Sequence, residues 1–159
     1  MPLIKLREFL DSHHIKYMII SHSVAYTAQG IAALVHLSGK KLAKTVILKV
    51  DGLLAMAVVP ASEHVNLDLL RVATGADVIE IATEQEFKSA FPDCETGAMP
   101  PFGNLYDVPV YVDGSLAEHE EITFNAGTHH ELVRMAWADM ARLVDPQIVN
   151  LTEPEFAEA

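Results

Sequence analysis

The chain has 159 residues, half of them hydrophobic, and a net charge of −11 with a sequence pI near 5.0. This length and composition predict one compact globular domain, and they exclude a disordered chain and a protein that coats nucleic acid through a broad basic surface. No apolar run reaches the roughly 18 residues that a membrane span needs, and Lys5, Arg7 and Glu8 stand where a signal peptide is apolar. We therefore expect a cytoplasmic protein that binds neither membrane nor DNA.

The N-terminal half alternates between helical and strand patterns. Its predicted elements are a helix over 3 to 13, a strand over 15 to 20, a helix over 27 to 38 and a β-hairpin over 42 to 59. Thr27 is the predicted N-cap of the second helix and Gly39 its stop. The dipeptide Asp51-Gly52 between two apolar runs is the strongest short-range signal of a hairpin turn.

The C-terminal half continues this mixed pattern. Its predicted elements are a helix over 65 to 75, a strand over 76 to 82, a helix over 83 to 91, a turn-rich loop over 92 to 109, strands over 110 to 114 and 121 to 127, and a helix over 128 to 144. Capping boxes are predicted from Thr83 to Glu86 and from Thr128 to Glu131. Together these elements predict an α+β domain over residues 1 to 150, with one mixed, curved, barrel-like sheet flanked by helices. A loose acidic tail is expected after Pro146, with 151 to 159 outside the domain.

Cysteine and histidine offer little metal or thiol chemistry. Cys94 is the single cysteine, so an internal disulfide and a paired-cysteine metal site are excluded, and no neighbouring residue supplies a base. His13 and His14, like His129 and His130, are adjacent, and adjacent side chains on a helix point in different directions. We expect no metal and no cofactor.

Lys44 lies on the more apolar face of its predicted strand. Alternation places it on the same side as Leu42, Val46 and Leu48. A lysine facing a core either reaches water at the strand end or loses hydration, and a partly dehydrated lysine can bind an anion or take part in chemistry. The strand pattern alone leaves both interpretations open.

Two glycine-containing segments are further candidates. In "GAMPPFG", residues 97 to 103, glycine permits unusual backbone angles and proline stiffens the loop, so it could hold a carbonyl or an amine by its main chain or simply connect a helix to a strand. "NAGTHHE" is predicted to end a strand at Gly127 and to begin a helix, where free amides favour an anion. His130 would then lie in the first helical turn, where the helix dipole lowers the pKa of the imidazole; the alternative is a surface histidine.

"AYTAQGIA", "LAKTVILKVDG", "GAMPPFG" and "FNAGTHHELVRMAWADMARLV", in this order, resemble the YbaK and prolyl-tRNA synthetase-associated editing domain family over nearly the whole chain. Members of that family hydrolyse tRNA charged with a wrong, usually small, amino acid. The resemblance implies the family's α+β fold and a free-standing deacylase that needs no metal. It implies tRNA for proline, carrying alanine, cysteine, serine or threonine, as substrate. Prolyl-tRNA synthetase or an elongation factor is the implied protein partner.

The resemblance also implies the site residues. Lys44 matches the family's key lysine, and Gly97 to Pro101 match its glycine-xxx-proline loop. The implied catalytic residues are Lys44, Gly97 and His130. The implied substrate-binding residues are His22, Tyr26, Thr27, Thr45, Ala98, Met99, Pro100, Pro101, Gly103, Asn125, Gly127 and Arg134. Lys40 and Lys41, with Lys44 and Arg134, are expected to form a local basic patch for the acceptor end of the tRNA.

Two markers of specificity disagree, and two other functions compete with the enzyme. Thr45 is typical of members that remove cysteine, whereas His130 is typical of those that remove alanine or other small residues. A non-catalytic module that binds aminoacyl-tRNA or a nucleotide would keep the same pocket. An interaction domain that docks through its apolar loop requires Met99 and Phe102 to be exposed.

Overall fold

The computed structural model describes residues 3–21 and 42–152, which form a mixed α+β domain. Its α-helices in this part of the chain are α1 (Ile4–Ser12), α2 (Leu67–Thr74), α3 (Glu84–Phe87) and α4 (Trp137–Val144). Its strands are β1 (Tyr17–Ser21), β2 (Ala43–Val50), β3 (Leu53–Pro60), β4 (Ile79–Ile81), β5 (Val110–Asp113), β6 (Glu121–Asn125), β7 (Glu131–Ala136) and β8 (Gln147–Val149). Short 3-10 helices occupy Lys88–Ala90, Gly103–Leu105 and Gly114–Glu118.

The strands divide over two sheets. One has the order β1-β7-β6 and is antiparallel, and the other has the order β4-β2-β3-β5-β8, in which β3-β5 and β5-β8 pair in parallel. A parallel bridge between Leu42 and Thr123 links the two sheets. The predicted α+β class is confirmed, and the sheets are curved, but they do not close into a barrel.

The β2-β3 hairpin separates two hydrophobic cores. Its turn is the predicted one, with Asp51 at φ 49° and Gly52 at φ 86°, the left-handed pair that matches the twist of the strands. Ile47 packs into the main core with α1 and the three-stranded sheet, whereas Leu48 packs into a second cluster beneath α2. Alternation along one strand therefore assigns successive side chains to different cores.

The predicted helix over 128 to 144 is wrong in its first half. Residues Glu131–Ala136 form β7, and the helix begins only at Trp137. Since β7 is the central strand of its sheet, it gains backbone hydrogen bonds to β1 and to β6, which outweigh a local helical preference. The predicted capping pair lies in the β6-β7 turn instead, where Thr128 Oγ1 is 3.4 Å from Glu131 Oε1.

The loose tail predicted after Pro146 is wrong as far as residue 152. Strand β8 pairs with β5, and Leu151 is fully buried. The buried Asp113 carboxylate accepts hydrogen bonds from the amides of Leu151 at 2.8 Å and Thr152 at 3.2 Å. Strand β5 and its residue Asp113, which hold this segment in place, are remote in sequence, so the local composition could not predict these contacts.

Several predictions fall outside the described residues. These are the helix over 27 to 38, the tail from 153 onward, and the residues His22, Tyr26, Thr27, Lys40 and Lys41. In residues 3–21 and 42–152, every helix is too short or too polar to cross a lipid bilayer.

Candidate functional site

The bridge between the sheets creates one continuous face that carries Lys44. Leu42 and Thr123 are paired in parallel, so their side chains point to the same side. Alternation then places Lys44, two residues after Leu42, and Asn125, two residues after Thr123, on that same side. Asn125 in turn pairs with Leu132 on β7. Lys44 and Asn125 therefore share one side of the linked sheets, and Asn125 is the last residue of β6.

The environment of Lys44 matches the partly dehydrated lysine considered above. The side chain is half-buried on the same side of β2 as Leu48. Burial lowers the pKa of Lys44, and the nearby Glu63 carboxylate partly opposes that shift by favouring the charged form. A poorly hydrated ammonium group binds an anion or a polarised carbonyl more strongly than an exposed one.

Gly97 lies in a turn that only glycine adopts readily. The amide of Ala98 donates to the carbonyl of Glu95 at 3.0 Å, and Gly97, the third residue of this turn, has φ +83°. The Ala98 amide is therefore already engaged within the turn. Within the described part of the chain, the amides of Gly97 and Met99 donate no hydrogen bond.

Main-chain hydrogen bonds fix this loop to the β6-β7 turn. The amide of Glu95 donates to the carbonyl of Gly127 at 2.8 Å, and the amide of Gly127 donates to the carbonyl of Ala98 at 2.9 Å. Gly127 has φ +92°, and a Cβ there would lie 2.9 Å from Cβ of Leu3. Glycine at 127 is thus required by backbone and packing, and the predicted loop and turn form one unit.

His129, for which the sequence predicted no role in the site, joins the two segments. Its Nε2 lies 2.7 Å from the Thr96 carbonyl oxygen, which can only accept, so Nε2 carries the proton. Its backbone amide donates to Glu95 Oε1 at 2.6 Å. No sequence signal distinguished His129 from its neighbour, because the partner residues lie more than thirty positions earlier in the chain.

His130 does not lie in a helix. It is exposed in the β6-β7 turn, where its amide donates to Thr128 Oγ1 at 3.3 Å. The predicted position of His130 in the first turn of a helix is therefore wrong. His130 does remain on the same turn as Gly127, beside the end of β6.

The other predicted residues divide between the site and the core. Arg134 lies on the face of Lys44 and Asn125, whereas Thr45 lies on the opposite side of β2 from Lys44. Met99 and the fully buried Phe102 belong to the main core, so the docking function that required them to be exposed is wrong. Also buried are Ala98, Pro100, Pro101 and Gly103.

Cys94 is a protonated thiol beside the same loop. Burial raises its pKa, and its Sγ lies 3.4 Å from the Tyr106 hydroxyl. It lines a cavity of about 580 Å³ between α3 and the loop, mostly with apolar neighbours such as Phe87, Phe91 and Met99. A thiol in these surroundings is a poor nucleophile.

Comparison with known proteins assigns the family. The model of the aminoacyl-tRNA editing domain matches residues 22–143, a range that includes every predicted site residue. The chain belongs to the aminoacyl-tRNA editing domain family. A proline–tRNA ligase of Bacillus mycoides is 29% identical over 87 residues, which are 55% of this chain and 15% of the ligase. This editing domain thus corresponds to a small part of the curated ligases that it matches.

Solved structures share the fold of this editing domain. A protein provisionally named as a trans-editing enzyme for prolyl tRNA synthetase superposes with a TM-score of 0.82 at 20% identity, covering 94% of this chain and 96% of that one. A hypothetical protein superposes with a TM-score of 0.84 at 17% identity, covering 94% and 99%. The fold predicted from the family resemblance is confirmed.

Proposed function

We propose that this editing domain is a trans-acting deacylase that hydrolyses the ester of misacylated tRNA, with tRNA for proline carrying a small wrong amino acid as substrate. Family membership supports the editing role, and the half-buried Lys44, on the same side of the linked sheets as Asn125, is the structural observation that carries the proposal. Prolyl-tRNA synthetase or an elongation factor would deliver the tRNA, in the cytoplasm.

The proposed reaction is addition of water to the aminoacyl carbonyl, followed by breakage of the bond to the ribose oxygen. Lys44 would hold the terminal phosphate or the substrate carbonyl by its charge. The amides of Gly97 and Met99 would hold the carbonyl or the amine, and His130 would orient substrate or water. A ribose hydroxyl of the substrate would assist the attacking water, so that catalysis depends on positioning and electrostatic stabilisation.

Single-turnover deacylation tests this function directly. We expect the protein to hydrolyse one or more of the alanyl, cysteinyl, seryl and threonyl esters of tRNA for proline faster than buffer does, and to leave the prolyl ester intact as the matched control. This set of four esters also decides between the two markers of specificity, Thr45 for cysteine and His130 for alanine or other small residues. Binding of these tRNAs without hydrolysis would instead establish the non-catalytic binding module.

A second experiment separates the two adjacent histidines. We expect His129→Ala to lower the deacylation rate about fivefold, because losing the Nε2 hydrogen bond to Thr96 costs about 1 kcal/mol and releases the Gly97 loop. His129→Gln, which retains a donor of similar reach, should recover most of the rate. His130→Ala should reduce the rate less, since no described residue holds its ring. Equal losses for His129→Ala and His129→Gln would contradict the anchoring role of His129.

A further inference from the structure

Glu63 lies in the link between β3 and α2, on the side of the five-stranded sheet that carries Lys44. Lys44 pairs with Val59 of β3, and Val59 packs with Leu70 of α2 in the second hydrophobic cluster. Helix α2 therefore covers the side of the sheet to which Lys44 points. The link over 61 to 66 joins the end of β3 to this helix, so it begins next to Lys44 and leads to the same side.

Two main-chain hydrogen bonds fix the start of this link. The amide of Ala61 donates to the carbonyl of Leu42 at 2.7 Å, and the amide of Glu63 donates to the carbonyl of Pro60 at 2.9 Å. Leu42 directly precedes β2, and Pro60 is the last residue of β3. Glu63 is therefore carried by a hydrogen-bonded turn that is anchored where Lys44 begins its strand.

The Glu63 carboxylate acts on the charge of Lys44 without being bonded to it. It is half-buried, and it favours the charged form of the lysine. Within residues 3–21 and 42–152, this carboxylate accepts no hydrogen bond and forms no ion pair, with Lys44 or with another cation. It lines a recess of about 280 Å³ with His64, Val65 and Asn66. Glu63 thus keeps its full capacity to accept hydrogen bonds from a ligand.

The proposed substrate carries one positive group next to its reacting carbonyl. An α-amine has a pKa of roughly 8, so an aminoacyl ester is positively charged at mildly acidic pH. The amine is attached to the carbon beside the carbonyl, so a carbonyl held by Lys44 brings the ammonium group close to the same cation. Two like charges at this distance repel each other, and a carboxylate on the same side of the sheet offsets that repulsion.

We propose that Glu63 binds the α-ammonium group of the aminoacyl ester while Lys44 holds its carbonyl. This inference rests on the proposed function, since it takes the ester to lie beside Lys44. Hydrogen bonds between an ammonium group and a carboxylate are stronger than those between neutral groups. Glu63 therefore selects esters with a free amine over α-hydroxy esters and over esters whose amine is acylated, as in peptidyl-tRNA.

Binding of two uncleavable tRNAs tests this role without requiring catalysis. In both, tRNA for proline carries its acyl group through an amide on the terminal ribose; one group is alanyl, and the other is lactyl, with a hydroxyl in place of the amine. At about pH 6, where the amine is charged, we expect wild type to bind the alanyl amide at least about fivefold more tightly and Glu63→Gln to bind both equally. The matched control Glu80→Gln, which removes the same charge from β4 opposite Lys49, should keep the preference. Equal binding of the two amides by wild type, or a preference that Glu63→Gln retains, would overturn the inference.

Deacylation separates this inference from the proposed function and from an effect through Lys44 alone. At about pH 6, Glu63→Gln should slow hydrolysis of an aminoacyl ester at least about fivefold and that of its α-hydroxy analogue less than about twofold. Equal losses on both esters, with the decline in rate moved to lower pH, would show that Glu63 only keeps Lys44 charged and would overturn the inference. Failure of wild type on every ester would overturn the proposed function, while the binding experiment would still decide on Glu63.

Discussion

Replacing Lys44 by alanine is expected to lower single-turnover deacylation of misacylated tRNA at least about a hundredfold, the typical cost of removing one preorganised group that stabilises developing charge. The matched control is Lys49→Ala on the same strand. Lys49 points to the other side of β2, where it forms an ion pair with Glu86, so its removal should leave the rate within about twofold. Equal losses for the two variants would contradict a specific role for Lys44.

The pH dependence of the wild-type rate checks which form of Lys44 is active. Burial lowers the pKa of Lys44, so the lysine loses its charge at a lower pH than an exposed lysine does. If the charged form holds the substrate, the enzymatic rate, after subtraction of hydrolysis in buffer alone, is highest below this lowered pKa. It falls as the pH rises through the pKa. Lys44→Arg, which stays charged, should lose this decline even if its rate is lower. A wild-type rate that rises across the same range would assign Lys44 the role of a base.

The second large effect is on stability, at Gly103. A Cβ at this residue would lie 2.2 Å from the carbonyl oxygen of Val108 and 2.6 Å from Cγ2 of Val110. Because the closer neighbour is a backbone atom just before β5, it cannot move away cheaply. We expect Gly103→Ala to lower the free energy of unfolding by about 3 kcal/mol.

Urea denaturation measures this change, with Gly114→Ala as the matched control. A Cβ at 114 would meet Cγ2 of Ile148 at an ordinary 3.9 Å, so that variant should unfold within about 0.5 kcal/mol of wild type. The comparison also bears on the role of Gly103. A large loss of stability assigns it to packing beneath the loop, whereas two equally stable variants would show that the loop can rearrange.

Local chemistry in the sequence determined several parts of this protein. The Asp51-Gly52 turn and the capping box of Thr83 and Glu86 depend on backbone angles and hydrogen bonds within a few residues, and both are confirmed. Strand alternation placed Lys44 on the side of Leu48, and the glycine-xxx-proline segment indicated an ordered loop. Motif order then gave the family, which the editing-domain match confirms.

The tertiary structure decided what depends on partners distant in the chain. The sequence pattern predicts helix for the segment Glu131–Ala136, and pairing on both sides by β1 and β6 makes it a strand instead. His129 rather than His130 anchors the loop, because its acceptor is the carbonyl of Thr96. The sequence of a segment shows which side chains it carries and how they alternate. It does not record which remote backbone groups or charges will satisfy them, and at Lys44 and His129 those remote partners determine the chemistry.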